Sequence, residues 1–81
     1  MIRESKSADE IASVVNDSVR GVPGLKRLKV EVARLRKPDV HGCNWIAHYP
    51  SLPVGCSAES ERLLKDIIRN AQHNFNLWEV H

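Results

Sequence analysis

Four side chains in this sequence can bind a soft metal or act as nucleophile and base: His41, Cys43, His48 and Cys56. Two thiolates and two imidazoles suffice for a tetrahedral zinc site. Structural zinc, however, usually takes a close pair of cysteines and a close pair of histidines, and this spacing offers neither, so the four read as loop histidines and small buried thiols. No metal is expected. Cys56 directly precedes a helix start at Ser57, where the helix dipole favours a thiolate, but Glu59 and Glu61 oppose that effect. A thiol nucleophile would draw on His41 or His48 as its base, and no oxyanion-hole motif accompanies them. A Cys43–Cys56 disulfide would need an oxidising compartment, and two cysteines in 81 residues do not make a disulfide scaffold. Paired carboxylates, a glycine-rich phosphate loop and a Ser-His-Asp arrangement are all missing from the sequence. The expectation is a protein that is not an enzyme and takes no cofactor.

The second chemical feature is a basic run. The net charge is +2, yet residues 25–37 alone carry +5, from Lys26, Arg27, Lys29, Arg34, Arg36 and Lys37 against Glu31. Such a run is either a solvated edge strand protected from edge-to-edge aggregation or a surface that attracts phosphate. Arg27, Lys29, Arg34, Arg36 and Lys37 are the candidate contact residues for nucleic acid or another partner.

Two helices and two strands must position these groups. Ser57 can cap a long helix with Glu59 and Glu61 in its first turn, and its apolar stripe is Leu63, Leu64, Ile67, Ile68, Ala71, Phe75 and Trp78. Arg62, Asp66, Arg69 and His73 lie opposite. Residues 75–80 either prolong this helix or form a short terminal strand. Upstream, Ser7-Ala8-Asp9-Glu10 is a capping box. The helix it opens buries Ile11, Val14, Val15, Ser18 and Val19, leaves Asp9, Ser13, Asn16 and Arg20 wet, and is expected to stop at a left-handed Gly21 before the turn Val22-Pro23-Gly24. From Leu25 to Leu35 the period becomes two, with Leu28, Val30 and Val32 alternating against Lys29, Glu31 and Ala33, which predicts a strand. Asn44 to Tyr49 is a second strand, joined by a turn-rich loop and ended by Pro50 and Pro53.

The fold expected is α+β in a single domain over residues 1–81, a two-layer α-β-β-α arrangement whose small antiparallel sheet packs on two amphipathic helices, with a short terminal strand as an option. Its element order resembles that of the double-stranded-RNA-binding domain, α-β-β-β-α. The resemblance stops at element order, since Pro50-Ser51-Leu52-Pro53-Val54-Gly55 is a poor third strand. Glu59 and Glu61 also open the last helix where that family brings cations to phosphates.

Composition is that of a globular protein, 42% hydrophobic and 27% charged, with no apolar run of membrane-spanning length and no signal-peptide core at the N-terminus. A soluble, cytoplasmic protein is expected. A two-stranded sheet leaves edges, so a homodimer through a sheet edge is expected if the chain supplies only two strands. The function expected is a small binding or assembly module with a protein partner, the alternative being a nucleic-acid module using the basic strand 26–37. The register of the hairpin separates the two. With Leu35 opposite Asn44, Trp45, Ala47 and Tyr49 share the inward side with Val30, Val32 and Arg34, and Arg27, Lys29, Glu31, Ile46 and His48 face out. A slip of one residue would put Trp45 and Tyr49 outside beside Arg27 and Lys29 as a stacking platform for single strands. The inward arrangement is favoured because large rings contribute most when removed from water.

Overall fold

A computed structural model describes residues 4–40, 42–52 and 54–77. His41, Pro53 and Trp78 lie outside these residues. In chain order the elements are β1 (Glu4–Lys6), α1 (Ala8–Val19), β2 (Glu31–Arg34), β3 (Trp45–His48), α2 (Ala58–Asn74) and β4 (Phe75–Leu77). The class is α+β, as the sequence predicts, and the option of a terminal strand at residues 75–80 is taken up by β4 over Phe75–Leu77. β2 and β3 form an antiparallel hairpin, while β4 pairs in parallel with β1, a strand the sequence did not announce. Among the described residues the chain therefore supplies four strands in two separate two-stranded sheets, so β4 does not extend the hairpin, which keeps the edges on which the expected dimer rests.

Both helices start where their caps dictate. The Ser7 hydroxyl accepts from the Glu10 N–H at 3.2 Å and the Glu10 carboxylate accepts from the Ser7 N–H at 3.3 Å, completing the capping box. Hydrogen bonds to the Glu10 carboxylate, first from the Ser7 N–H and then from the Ser7 side chain, hold that carboxyl below its ordinary value of 4.5. Ser57 accepts from the Ser60 N–H at 3.1 Å, and the Ser60 hydroxyl donates to the Pro23 carbonyl at 2.9 Å, fastening the start of α2 to the turn after α1.

Gly21 does not end α1 in the left-handed region; among the glycines only Gly24, Gly42 and Gly55 have positive φ. Instead the chain leaves the helix through successive turns, with N–H to C=O bonds from Val22 to Val19, Leu25 to Val22 and Leu28 to Leu25. Each turn returns one apolar side chain to the same side, so Val19, Val22, Leu25 and Leu28 are all buried. The period here is three, and the strand expected from Leu25 shortens to Glu31–Arg34. Leu28, Val30 and Val32 fit period two on paper, but the hydrogen bonds place Leu28 in the turns.

Burial of the helices is narrower than the stripes suggested. Ile11, Val15 and Val19 of α1 are buried, whereas Val14 is 40% exposed and Ser18 is exposed. On α2, Leu64 and Ala71 are buried, Ile67 and Ile68 are half-buried, and Leu63 is 39% exposed. The correction has one geometric cause: α1 and α2 pack on each other as well as on the strands. Each helix spends its apolar face on two neighbours, and residues at the outer margin stay partly wet.

Asparagine side chains fasten the layers. Asn16, placed on the wet face by helical periodicity, accepts from the Val30 N–H at 2.8 Å and donates to the Val30 carbonyl at 2.9 Å. Asn44, 5% exposed, does the same to Leu77, accepting from its N–H at 2.8 Å and donating to its carbonyl at 3.0 Å. In each case a side-chain amide stands in for a neighbouring strand and satisfies a residue's two backbone groups. The Trp45 indole N–H adds a bond to the Phe75 carbonyl at 2.9 Å. β4 is thus held by β1 on one edge and by Asn44 and Trp45 on the other.

Candidate binding surface

The hairpin register is the one the sequence favoured. Arg34 stands opposite Trp45, Ala33 opposite Ile46, Val32 opposite Ala47 and Glu31 opposite His48, and the Leu35 N–H donates to the Asn44 carbonyl at 2.9 Å. Trp45 has no exposed surface and Tyr49 is half-buried, while Ile46 and His48 face out. The indole is therefore a core group bonded to β4, with no face left for a base to stack on. Arg27, Lys29, Arg34, Arg36 and Lys37 are all exposed, as is Lys26. They occupy the approach to β2, its end and the loop beyond.

The thiols do not meet. Cys43 is buried with its Sγ donating to the Trp45 carbonyl at 3.4 Å, Cys56 is half-buried before the cap of α2, and neither is in a disulfide. Among the described residues no three His, Cys, Asp or Glu side chains gather as a metal site requires. Asp39 organises the loop around Cys43, its carboxylate accepting from the Cys43 N–H at 3.0 Å while its own N–H reaches the Cys43 carbonyl at 2.8 Å.

Sequence reasoning did not reach the free side of β3. In an antiparallel pair, hydrogen-bonded and non-bonded pairs alternate. The bond between Leu35 and Asn44 makes Ala33–Ile46 and Glu31–His48 the bonded pairs, which turns the backbone groups of Trp45 and Ala47 away from β2. The Trp45 carbonyl meets the Gln72 side-chain amide at 3.3 Å. Ala47, its N–H and C=O so turned from β2, lines a groove of about 290 Å³ between β3 and α2. Ile46, Ala47 and Tyr49 form its strand side, and Lys65, Ile68, Arg69 and Gln72 its helix side. Two cations and no carboxylate line it. Lys65 reaches Glu61 at 3.4 Å and Arg69 reaches Asp66 at 4.0 Å along the helix, pairs that are open to solvent and therefore weak.

A second depression, about 230 Å³, lies between the helices and is lined by Val14, Val15, Ser18, Ile67, Ala71 and Phe75 with Asn70 and Asn74. It is uncharged and presents no unpaired strand. Compared with protein-family models, curated proteins and solved structures, the chain finds no match in any of the three.

Proposed function

We propose that the protein is a small non-catalytic binding module whose partner is a polypeptide. The observation that supports this reading is the open edge of β3 beside α2, where a strand's unpaired backbone groups face a groove instead of bulk solvent. Sheet edges of this kind bind extended chains through main-chain hydrogen bonds. Natural proteins otherwise shield such an edge with charge, proline or a covering element. Here Gln72 occupies the Trp45 end of the edge, leaving Ala47 open.

Selection from a displayed library of random extended peptides tests the reading. Binders that protect the Ala47 amide from hydrogen exchange are the expected result. A library that gives none, or binders that leave Ala47 unprotected, would overturn it.

The exposed cations of residues 26–37 favour a second reading, a nucleic-acid module that holds phosphates without stacking. It predicts binding of oligonucleotides whose affinity falls steeply with salt and drops when Arg36 and Lys37 become Gln. Burial of Trp45 removes the ring that would have joined those cations, which is why this reading ranks second.

A further inference from the structure

We infer that the β3–α2 groove takes an extended peptide segment rich in carboxylates, added as a strand to the free edge of β3. This rests on the polypeptide-binding reading and names the class of partner. The bonding capacity comes from Ala47, which lines the groove and whose N–H and C=O, turned away from β2, can bond both backbone groups of one residue in an added strand. The selectivity comes from the helix wall, where Lys65 and Arg69 are four residues apart and so lie on one face of α2, one turn from each other. In an added strand alternate side chains point the same way, so a chain with acids at every second position carries them along that wall. Ala47 and Ile68 give that wall an apolar floor for the stems of the acids, while the intervening side chains turn to the outer face beside the exposed Ile46, which suits aliphatic groups there.

Charge decides between this occupant and a second copy of the chain. Joining two β3 edges about a two-fold axis would bring Lys65 and Arg69 from both copies to one seam, four cations with no carboxylate lining either groove. An acidic strand meets the same two cations with opposite charge. Gln72 contributes a further limit: its amide occupies the Trp45 carbonyl, so the ladder is short and centred on Ala47.

The experiment uses a fluorescein-labelled heptapeptide in which glutamate alternates with valine, its twin with lysine in place of glutamate, and two forms N-methylated at alternate residues in either phase. Anisotropy titrations against the whole protein should show the glutamate peptide binding at least about tenfold more tightly than the lysine peptide, with affinity falling as salt rises. One N-methylated phase should bind like the parent and the other should lose at least about tenfold, because only one set of N–H groups faces β3. The Lys65→Gln/Arg69→Gln double variant, changed only at exposed positions, should keep its melting temperature and lose most of the difference between the two peptides. Equal affinity for the acidic and basic peptides, or N-methylation that weakens binding equally in both phases or in neither, would overturn the inference. So would a dimer by sedimentation with the Ala47 amide already protected in the absence of peptide. If the lysine peptide or a neutral one binds and protects Ala47 while the glutamate peptide does not, the acidic partner is refuted and the polypeptide reading stands; if no peptide binds, both fall.

Discussion

Replacing Asn44 with Ala tests the side-chain clamp that holds β4. In the parent, Asn44 serves both backbone groups of Leu77, at 2.8 and 3.0 Å, and Asn44 and Leu77 are each only 5% exposed. Alanine leaves one buried donor and one buried acceptor without partners, at about 1–3 kcal/mol each, so the loss should be about 2–6 kcal/mol. For a domain of this size each kcal/mol moves the melting temperature by about 4–8 °C, so the fall should be at least about 8 °C. The Asn16→Ala variant is the internal comparison: it breaks the same pair of bonds to Val30, at 2.8 and 2.9 Å, but from a half-buried position where water can replace them in part. Its cost should be smaller, about 1–2 kcal/mol. Asn44→Asp adds a signature that packing alone would not give. Its carboxylate still accepts from the Leu77 N–H but faces the Leu77 carbonyl, which disfavours the ionised form and raises the folded-state pKa. That variant should be most stable when protonated and lose stability as pH rises through the raised value. Urea unfolding followed by circular dichroism gives the stabilities, and hydrogen exchange reads the Leu77 amide. An Asn44→Ala protein within about 0.5 kcal/mol of the parent, with the Leu77 amide still protected, would show that the clamp does not hold β4.

Leu64→Ala should cost about 2–5 kcal/mol because Leu64 is fully buried, whereas Leu63→Ala should cost under about 1 kcal/mol in the same denaturation series. Trp45→Phe keeps most of the ring's packing but leaves the Phe75 carbonyl without its indole donor, for a loss of about 1–3 kcal/mol measured by urea unfolding; in the parent Trp45 should emit at short wavelength and resist quenching. Ser7→Ala removes the cap of α1 and should cost about 0.5–2 kcal/mol in thermal melts. Because Glu10 titrates below its ordinary value in the folded chain, its contribution is present above 4.5 and fades as pH falls through the lowered value; a Glu10→Gln protein should show a flatter acid limb in its stability profile.

What the sequence made legible was what is local and repetitive. The Ser7–Glu10 box, the start of α2 at Ser57 and the inward face of the hairpin follow from spacing and from the size of Trp45. Leu25 and Leu28 misled because a turn returning every third residue and a strand returning every second can share apolar positions over so short a run. Val14 and Leu63 misled because a helical stripe says which face is apolar but not how wide the contact will be. Asn16 and Asn44 were invisible for a different reason: a polar residue at a wet position or beside a strand gives no local sign that it will grip a backbone far along the chain. The groove at Ala47 had no signal either, since it depends on which strand edge remains uncovered after folding, and that is fixed by β4 pairing with β1 instead of with β3.

The pairing of Glu4–Lys6 with Phe75–Leu77 also orders events in time. Its partners are separated by about seventy residues, so closing the parallel pair carries the largest loop-entropy cost of any contact between elements and gives no return until most of the chain is in place. The capping box of α1 and the hairpin can form from neighbouring residues during synthesis, but β1 has nothing to bond until Leu77 has been made. The first strand to emerge is therefore the last to be paired.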